Sequence, residues 1–412
     1  MNRISVSLVS LALLVTTVSA TAADTAPWEF APAVDITGSH GAGIYHHLES
    51  SGRRNIAATA NYVAVAWEDN RSGAPQIYIA YKARAVGAFT AELKISDGSE
   101  AFEPSLVSLD GDRFAVAWEQ DSRIHVRVVS PKRLGPIMVV GPTGSAQASL
   151  ARDSKHLALV YARSDAGHQR IWLQWLGVEG ETLSKTRDCA VDSQPAKEDQ
   201  QYPTVTRVND RTIVAWEDRR LGHTNIMGAV SLDKSSCKFT SPYRITEAQP
   251  RMSASYGKGR GAARVALARY GRGKVLAVWA DKRDFLEGYD IYGADYQPDN
   301  LALFGKNIKV QDDFGGIAHQ WHPAVTGDGI GLPVVAWDDK RDGNANIMLS
   351  WRMDDRWSED TAVPGAAGAG EQTHPAIVID QDRNLHVVWV ERSTVGGTTR
   401  LRYTFGRSTT KP

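Results

Sequence analysis

Only two cysteines, Cys189 and Cys237, occur in 412 residues. That count excludes Cys₄ and Cys₂His₂ zinc modules and a disulfide-built scaffold. Net charge is missing as well, because 47 Lys+Arg stand against 47 Asp+Glu. Without an overall field, neither nucleic acid nor an anionic membrane is expected as a partner. Beyond the first residues no apolar run reaches the roughly 20 residues of a membrane span. There is no G-x-S-x-G elbow, no P-loop and no G-x-G-x-x-G between a strand and a helix. Histidines are present but never as H-x-H or H-E-x-x-H, and no motif names a cofactor. Disorder is excluded by the opposite argument: 42% of residues are hydrophobic and the net charge is zero, so there is ample surface to bury.

What is there begins with an address label. Residues 1–23 carry Arg3, an apolar stretch from Val6 to Val18 and the small run Ala20-Thr21-Ala22, which reads as a cleaved signal peptide. The expectation is a secreted or periplasmic protein, with residues 24–412 as one domain. In such an oxidising compartment Cys189 and Cys237 can pair. Sequence spacing does not fix the Cα separation of about 4.4 to 6.8 Å that the bond needs, so paired and free states both stay open.

The mature chain repeats one phrase. Its clearest copies are Val-Ala-Trp67-Glu-Asp69-Asn-Arg71-Ser-Gly73, Val-Ala-Trp216-Glu-Asp218-Arg-Arg220-Leu-Gly222, Ala-Val-Trp279-Ala-Asp281-Lys-Arg283 and Val-Ala-Trp337-Asp-Asp339-Lys-Arg341-Asp-Gly343. Weaker copies centre on Trp118, Tyr161 and Trp389. The spacing is roughly 54 residues, near the kelch-like period of about 50. Each unit reads as four short strands: one opening near a proline (Pro104, Pro203, Pro323, Pro375), one ending at the aromatic anchor, one after the Asp-x-Arg-x-Gly turn, and a final short one. Four strands repeated seven times without a helix-period segment predict an all-β, seven-bladed β-propeller of antiparallel blades. The last unit ends one strand short, and residues 28–37 predict the strand that completes it and removes an open edge.

These W-x-D-x-R-x-G phrases resemble the repeats of secreted bacterial propellers of the sialidase-like and TolB-like kind. The resemblance covers essentially the whole mature chain, at the level of fold. The Asp-Arg pairs recur in at least four blades, so their first meaning is structural: an Asx-type turn with the Arg fork on a carboxylate and an aromatic ring. Sialidase-like enzymes use an arginine triad, a tyrosine nucleophile with its glutamate and an acid aspartate. None of these can be assigned here from spacing alone.

Function is therefore sought where the repeats differ. Glu103, Gln147, Tyr202, His322 and His374 precede the inner strands, with Arg53 or Arg54 at the corresponding place in the first blade. Arg54, Glu103, Gln147, Tyr202, His322 and His374 are the candidate ligand-binding residues at the axial mouth. His40, His46 and His47 precede the first inner strand, His319 and His322 the sixth, and His374 the seventh. If those blades adjoin, His46, His47, His319, His322 and His374 are candidate metal ligands. The loop Tyr256-Gly-Lys-Gly-Arg-Gly261 reads as flexible and basic. The leading expectation is a non-catalytic propeller binding a glycan or protein ligand at its axial face. A sialidase-like glycoside hydrolase acting on extracellular glycans is the alternative. It needs two carboxyls about 5 to 10 Å apart, for which Glu103 with Asp35 or Glu49 are available. A metal-dependent enzyme using the His cluster is the third reading, and it needs three imidazoles around one point.

Overall fold

The computed structural model describes residues 24–38, 40–49, 52–84, 87–153, 156–233, 237–247, 261–283, 288–298, 303–312, 316–394 and 397–410. The segment read as a signal peptide and most of the basic loop 256–261 lie outside the described residues. The chain forms seven antiparallel sheets of four or five strands in sequence order, a seven-bladed β-propeller. Among the described residues no helix is present. The innermost strands are Ala101–Ser108, Ser145–Arg152, Gln200–Val208, Ala262–Tyr270, Gln320–Gly327 and Glu371–Ile379 in blades two to seven. In blade one, His46–His47 and Ile56–Ala58 share this role, both pairing with Tyr62–Asp69. His46 and His47 thus belong to a strand rather than to the loop that the sequence suggests.

Alternation of side chains along each strand gives every blade two buried faces, so the core is divided among the seams. Seven apolar clusters result, each shared by two neighbouring blades, including one between blades seven and one. Trp67, Trp118, Trp216, Trp279, Trp337 and Trp389 are all 0% exposed within these layers. Ring closure comes from the N-terminal segment: Trp28–Phe30 and Val34–Asp35 pair antiparallel with Thr399–Ser408 of blade seven. Cys189 and Cys237 form a disulfide with Cα atoms 5.5 Å apart.

The turn motif is structural. The indole N–H groups of Trp67, Trp216, Trp279 and Trp337 donate to Asp69, Asp218, Asp281 and Asp339 at 2.8 to 3.1 Å. The following arginines clasp the same carboxylates, and the guanidinium groups of Arg71 and Arg283 lie over Tyr78 and Tyr292.

Proline does not open the inner strands, as the sequence suggests, but sits inside them. In blades two to seven the inner strand slips register by a bulge, at Phe102/Ser105, Ala146/Ser149, Gln201/Thr204, Ala263/Ala266, Trp321/Ala324 and Thr373/Ala376. A bulge leaves residues out of the ladder, which is why a residue without an N–H is tolerated there.

Candidate active site

The first residue of each bulge is Glu103, Gln147, Tyr202, Arg264, His322 or His374, and all six have left-handed backbones with φ between +48° and +62°. Non-glycine residues rarely adopt that conformation, and a bulge with such a residue re-aims its side chain. Five of the six are the mouth residues picked out by their variety in sequence. The sixth, Arg264, follows the basic loop 256–261 and was not among the residues singled out in sequence. It stands fifteen residues before Trp279, as Glu103 does before Trp118 and His322 before Trp337, and that count would have found it.

Five of the six bulges are held from the preceding blade. The backbone N–H of Glu103 donates to Glu68 (3.0 Å), that of Gln147 to Glu119 (2.6 Å), that of Arg264 to Glu217 (2.8 Å) and that of His374 to Asp338 (3.0 Å). Blade three has no acid at this place, and the Gln147 side chain accepts the Tyr202 N–H instead, at 2.7 Å. Gln147 is thus a strut, not a free ligand group.

Arg54 is corrected. Residues 52–55 leave blade one and cross the axis: Ser149 donates to the Gly52 carbonyl at 2.8 Å, and Arg54 donates to the Leu267 carbonyl at 2.9 Å. A Cβ on Gly52, whose φ is +75°, would lie 2.6 Å from the Val265 carbonyl. The crossing therefore requires glycine. It puts Arg54 in the channel beneath the mouth, where a cavity of about 510 Å³ opens to the opposite rim. Arg53, the other residue considered, stays at the mouth and pairs with Glu103 and Glu119.

Above the crossing lies a second cavity of about 430 Å³, lined by Tyr45, His46, His47, Glu68, Phe102, Glu103, Glu119, Thr373, His374, Val390 and Arg392. It is off the axis, between blades seven, one and two. The Tyr45 hydroxyl donates to Glu68 Oε1 at 2.7 Å. Burial pushes the Glu68 carboxyl above its ordinary range, partly offset by that hydrogen bond. The Tyr45 hydroxyl is raised in turn by burial and by Glu68. Burial would also raise Glu49, but His47, Arg53 and Arg264 outweigh it and hold the carboxyl at about 2. Arg264 Nη1 bonds Glu49 at 2.6 Å while its guanidinium covers the Tyr202 ring at 4.3 Å.

Glu49, Glu103 and His47 offer atoms within 4.8 Å of one another, which brings Glu49 beside Glu103 at less than the roughly 5 to 10 Å set out for a hydrolase pair. Asp35 lies away, bonded to Arg400 and Arg402. Of the histidines, His322, His374 and His47 converge: the first two rings stack with centroids 3.8 Å apart, and His47 meets His374 at 5.3 Å. Burial, reinforced by His322, His47, Arg264 and Arg392, pushes His374 well below its ordinary value. His46 is pushed down to about 4 by burial and bonds Thr399. His40 pairs with Glu92, and His319 accepts the Tyr289 N–H. These three stand apart from the cluster. Tyr45, Glu68, Arg392 and Asp338 were not singled out by sequence, since only neighbouring blades make them a site.

No protein-family model matches the chain, and no curated protein does. Solved structures share its fold. A polysaccharide lyase, Uly1, superposes with a TM-score of 0.54 at 8% identity, over 86% of this chain and 90% of its own. The Hadza microbial sialidase Hz136 gives 0.44 at 10% identity over 84% and 73%, and the α-L-arabinofuranosidase PaAbf62A from Podospora anserina gives 0.36 at 10% over 64% and 91%. The expectation of a non-catalytic axial binder is overturned here. The titratable residues gather into a pocket beside the axis rather than forming a passive lining of it.

Proposed function

We propose that this protein is a glycan-cleaving enzyme, a glycoside hydrolase of sialidase-like type working outside the cytosol in the pocket between blades seven, one and two. The observation that carries the reading is the Tyr45–Glu68 pair, a hydroxyl and a buried carboxylate 2.7 Å apart in a cavity edged by Arg392 and a second carboxylate pair. A nucleophile needs a base within hydrogen-bond reach, and tyrosine is the nucleophile where a carboxylate is not used. Tyr45 Oη attacks the anomeric carbon and gives its proton to Glu68. The glycosidic C–O bond breaks, and the leaving oxygen takes a proton from His47, whose Nε2 lies 3.6 Å from ionised Glu49. Water then attacks the tyrosyl-linked sugar, its proton going to His47, while Glu68 returns the first proton to Tyr45. Overall one bond is hydrolysed and all three groups are restored.

One further reading has its own support. Arg264 and Arg392 stand beside a neutral His374, a cation and a base as elimination at a uronic acid residue requires. The two chemistries differ in product: hydrolysis leaves a saturated sugar, and elimination leaves a C=C bond that absorbs in the ultraviolet.

The test is a polysaccharide and aryl-glycoside panel scored for new reducing ends and for ultraviolet absorbance. Tyr45→Phe and Glu68→Gln are each expected to lower kcat by roughly 10² to 10⁴ with little change in melting temperature. Full activity in both variants would overturn the assignment, and no product from any glycan would overturn the reading itself.

A further inference from the structure

Asp338 sits badly as a purely structural carboxylate. Asp69, Asp218, Asp281 and Asp339 each face an arginine, as do Glu49 and Glu119. Asp338 is 3% exposed, and the one ionisable nitrogen within 4.0 Å of it among the described residues is His322 Nδ1, at 2.7 Å. A carboxylate withdrawn from water needs a positive partner or a metal. The ring of His322 stacks on that of His374 with centroids 3.8 Å apart.

We propose that His322, His374 and Asp338 form a binding site for a divalent transition-metal ion of the zinc class. The three offer ligand atoms within 4.8 Å of one another. Two imidazoles and a carboxylate are a ligand set that zinc takes with its fourth position open, and one of the three, His374, also lines the cavity that His47 and Tyr45 share. Ligands around a tetrahedral ion stand roughly 3.4 Å apart, so modest ring rotations close the set. The scaffold suits such a site. His322 and His374 occupy equivalent bulges of adjacent blades, both with left-handed backbones, and the His374 N–H is tied to Asp338 Oδ2 at 3.0 Å. Sites carried on strands are held more firmly than sites on loops.

The site shares a pocket with the hydrolase reading but does not rest on it, because binding is read without any glycan. Chelator-treated protein is titrated calorimetrically with ZnCl₂. One ion per chain is expected. His322→Ala and His374→Ala are each expected to weaken binding about 100-fold, and Asp338→Asn about 10- to 100-fold, with His156→Ala and His168→Ala unchanged. Because a variant of Asp338 can loosen the bulge, wild-type protein is also loaded with Co²⁺. The absorption bands of a four-coordinate N/O site are expected. A spectrum equal to aqueous Co²⁺, zinc well below one per chain, or binding that survives the His322→Ala/His374→Ala double variant would each overturn the proposal.

Discussion

Glu68 and Asp69 are adjacent in sequence and serve different blades, as do Glu217 with Asp218 and Asp338 with Asp339. Side chains alternate across a strand, so the acid two residues past tryptophan shares the tryptophan's face and accepts a hydrogen bond from its indole N–H. The acid one residue past it points the other way, to the bulge of the next blade. This parity separates a structural carboxylate from one that serves the site. It predicts opposite phenotypes for neighbouring substitutions. Asp218→Ala strands the indole of Trp216, the backbone N–H of Arg220 and a guanidinium shared with Asp192, and is expected to cost about 2 to 4 kcal/mol in denaturant unfolding. A loss below about 0.5 kcal/mol would show that the turn motif is not what holds the blade.

At the scale of elements, the bulged inner strand is the device that builds the site. Regular strands would bury these six residues in the seams, whereas a left-handed first residue aims each at the mouth. The outer strands carry a different burden. Cys189 lies on the outermost strand of blade three, Thr182–Ala190, and its disulfide to Cys237 closes a loop with a sequence separation of 48. Chain-entropy reasoning gives such a cross-link about 4 kcal/mol. Cys189→Ser/Cys237→Ser is expected to lower the melting temperature while leaving kcat at 25 °C unchanged, because the pocket lies across the ring in blades seven, one and two. Loss of activity in a folded double variant would mean that the outer rim positions the mouth.

For the whole molecule, the seam between blades seven and one joins the two ends of the chain and borders the pocket. His46 sits in that seam, its backbone N–H donating to Thr399 Oγ1 at 2.7 Å. Its folded value near 4 lies below the 6.5 of a free imidazole, so the unfolded chain binds the extra proton as pH falls between those values. Stability from neutral His46 is therefore full above about pH 6.5 and is lost as pH drops toward 4. Melting temperatures across that window are expected to fall less steeply in His46→Gln than in the parent. Parallel curves would show that the seam is not the pH-sensitive joint.

The blade count and the turn motif were legible because they depend on local rules: a period-2 strand, an Asx turn and a repeat of fixed length. Glu103, Gln147, Tyr202, His322 and His374, varied in sequence against constant tryptophans, prove to occupy equivalent bulges. The closing strand was legible too, since a blade short of one strand leaves an edge that some other segment must cover. What only tertiary structure decided is who meets whom. Tyr45 reaches Glu68, Glu49 meets Glu103, and His322 stacks on His374 because seams bring together side chains that sequence keeps tens of residues apart. Arg53 and Arg54, neighbours in the chain, part company because Gly52 lets the backbone cross the axis between them. Local pattern fixes each blade's shape, while the chemistry arises between blades, where no periodicity runs.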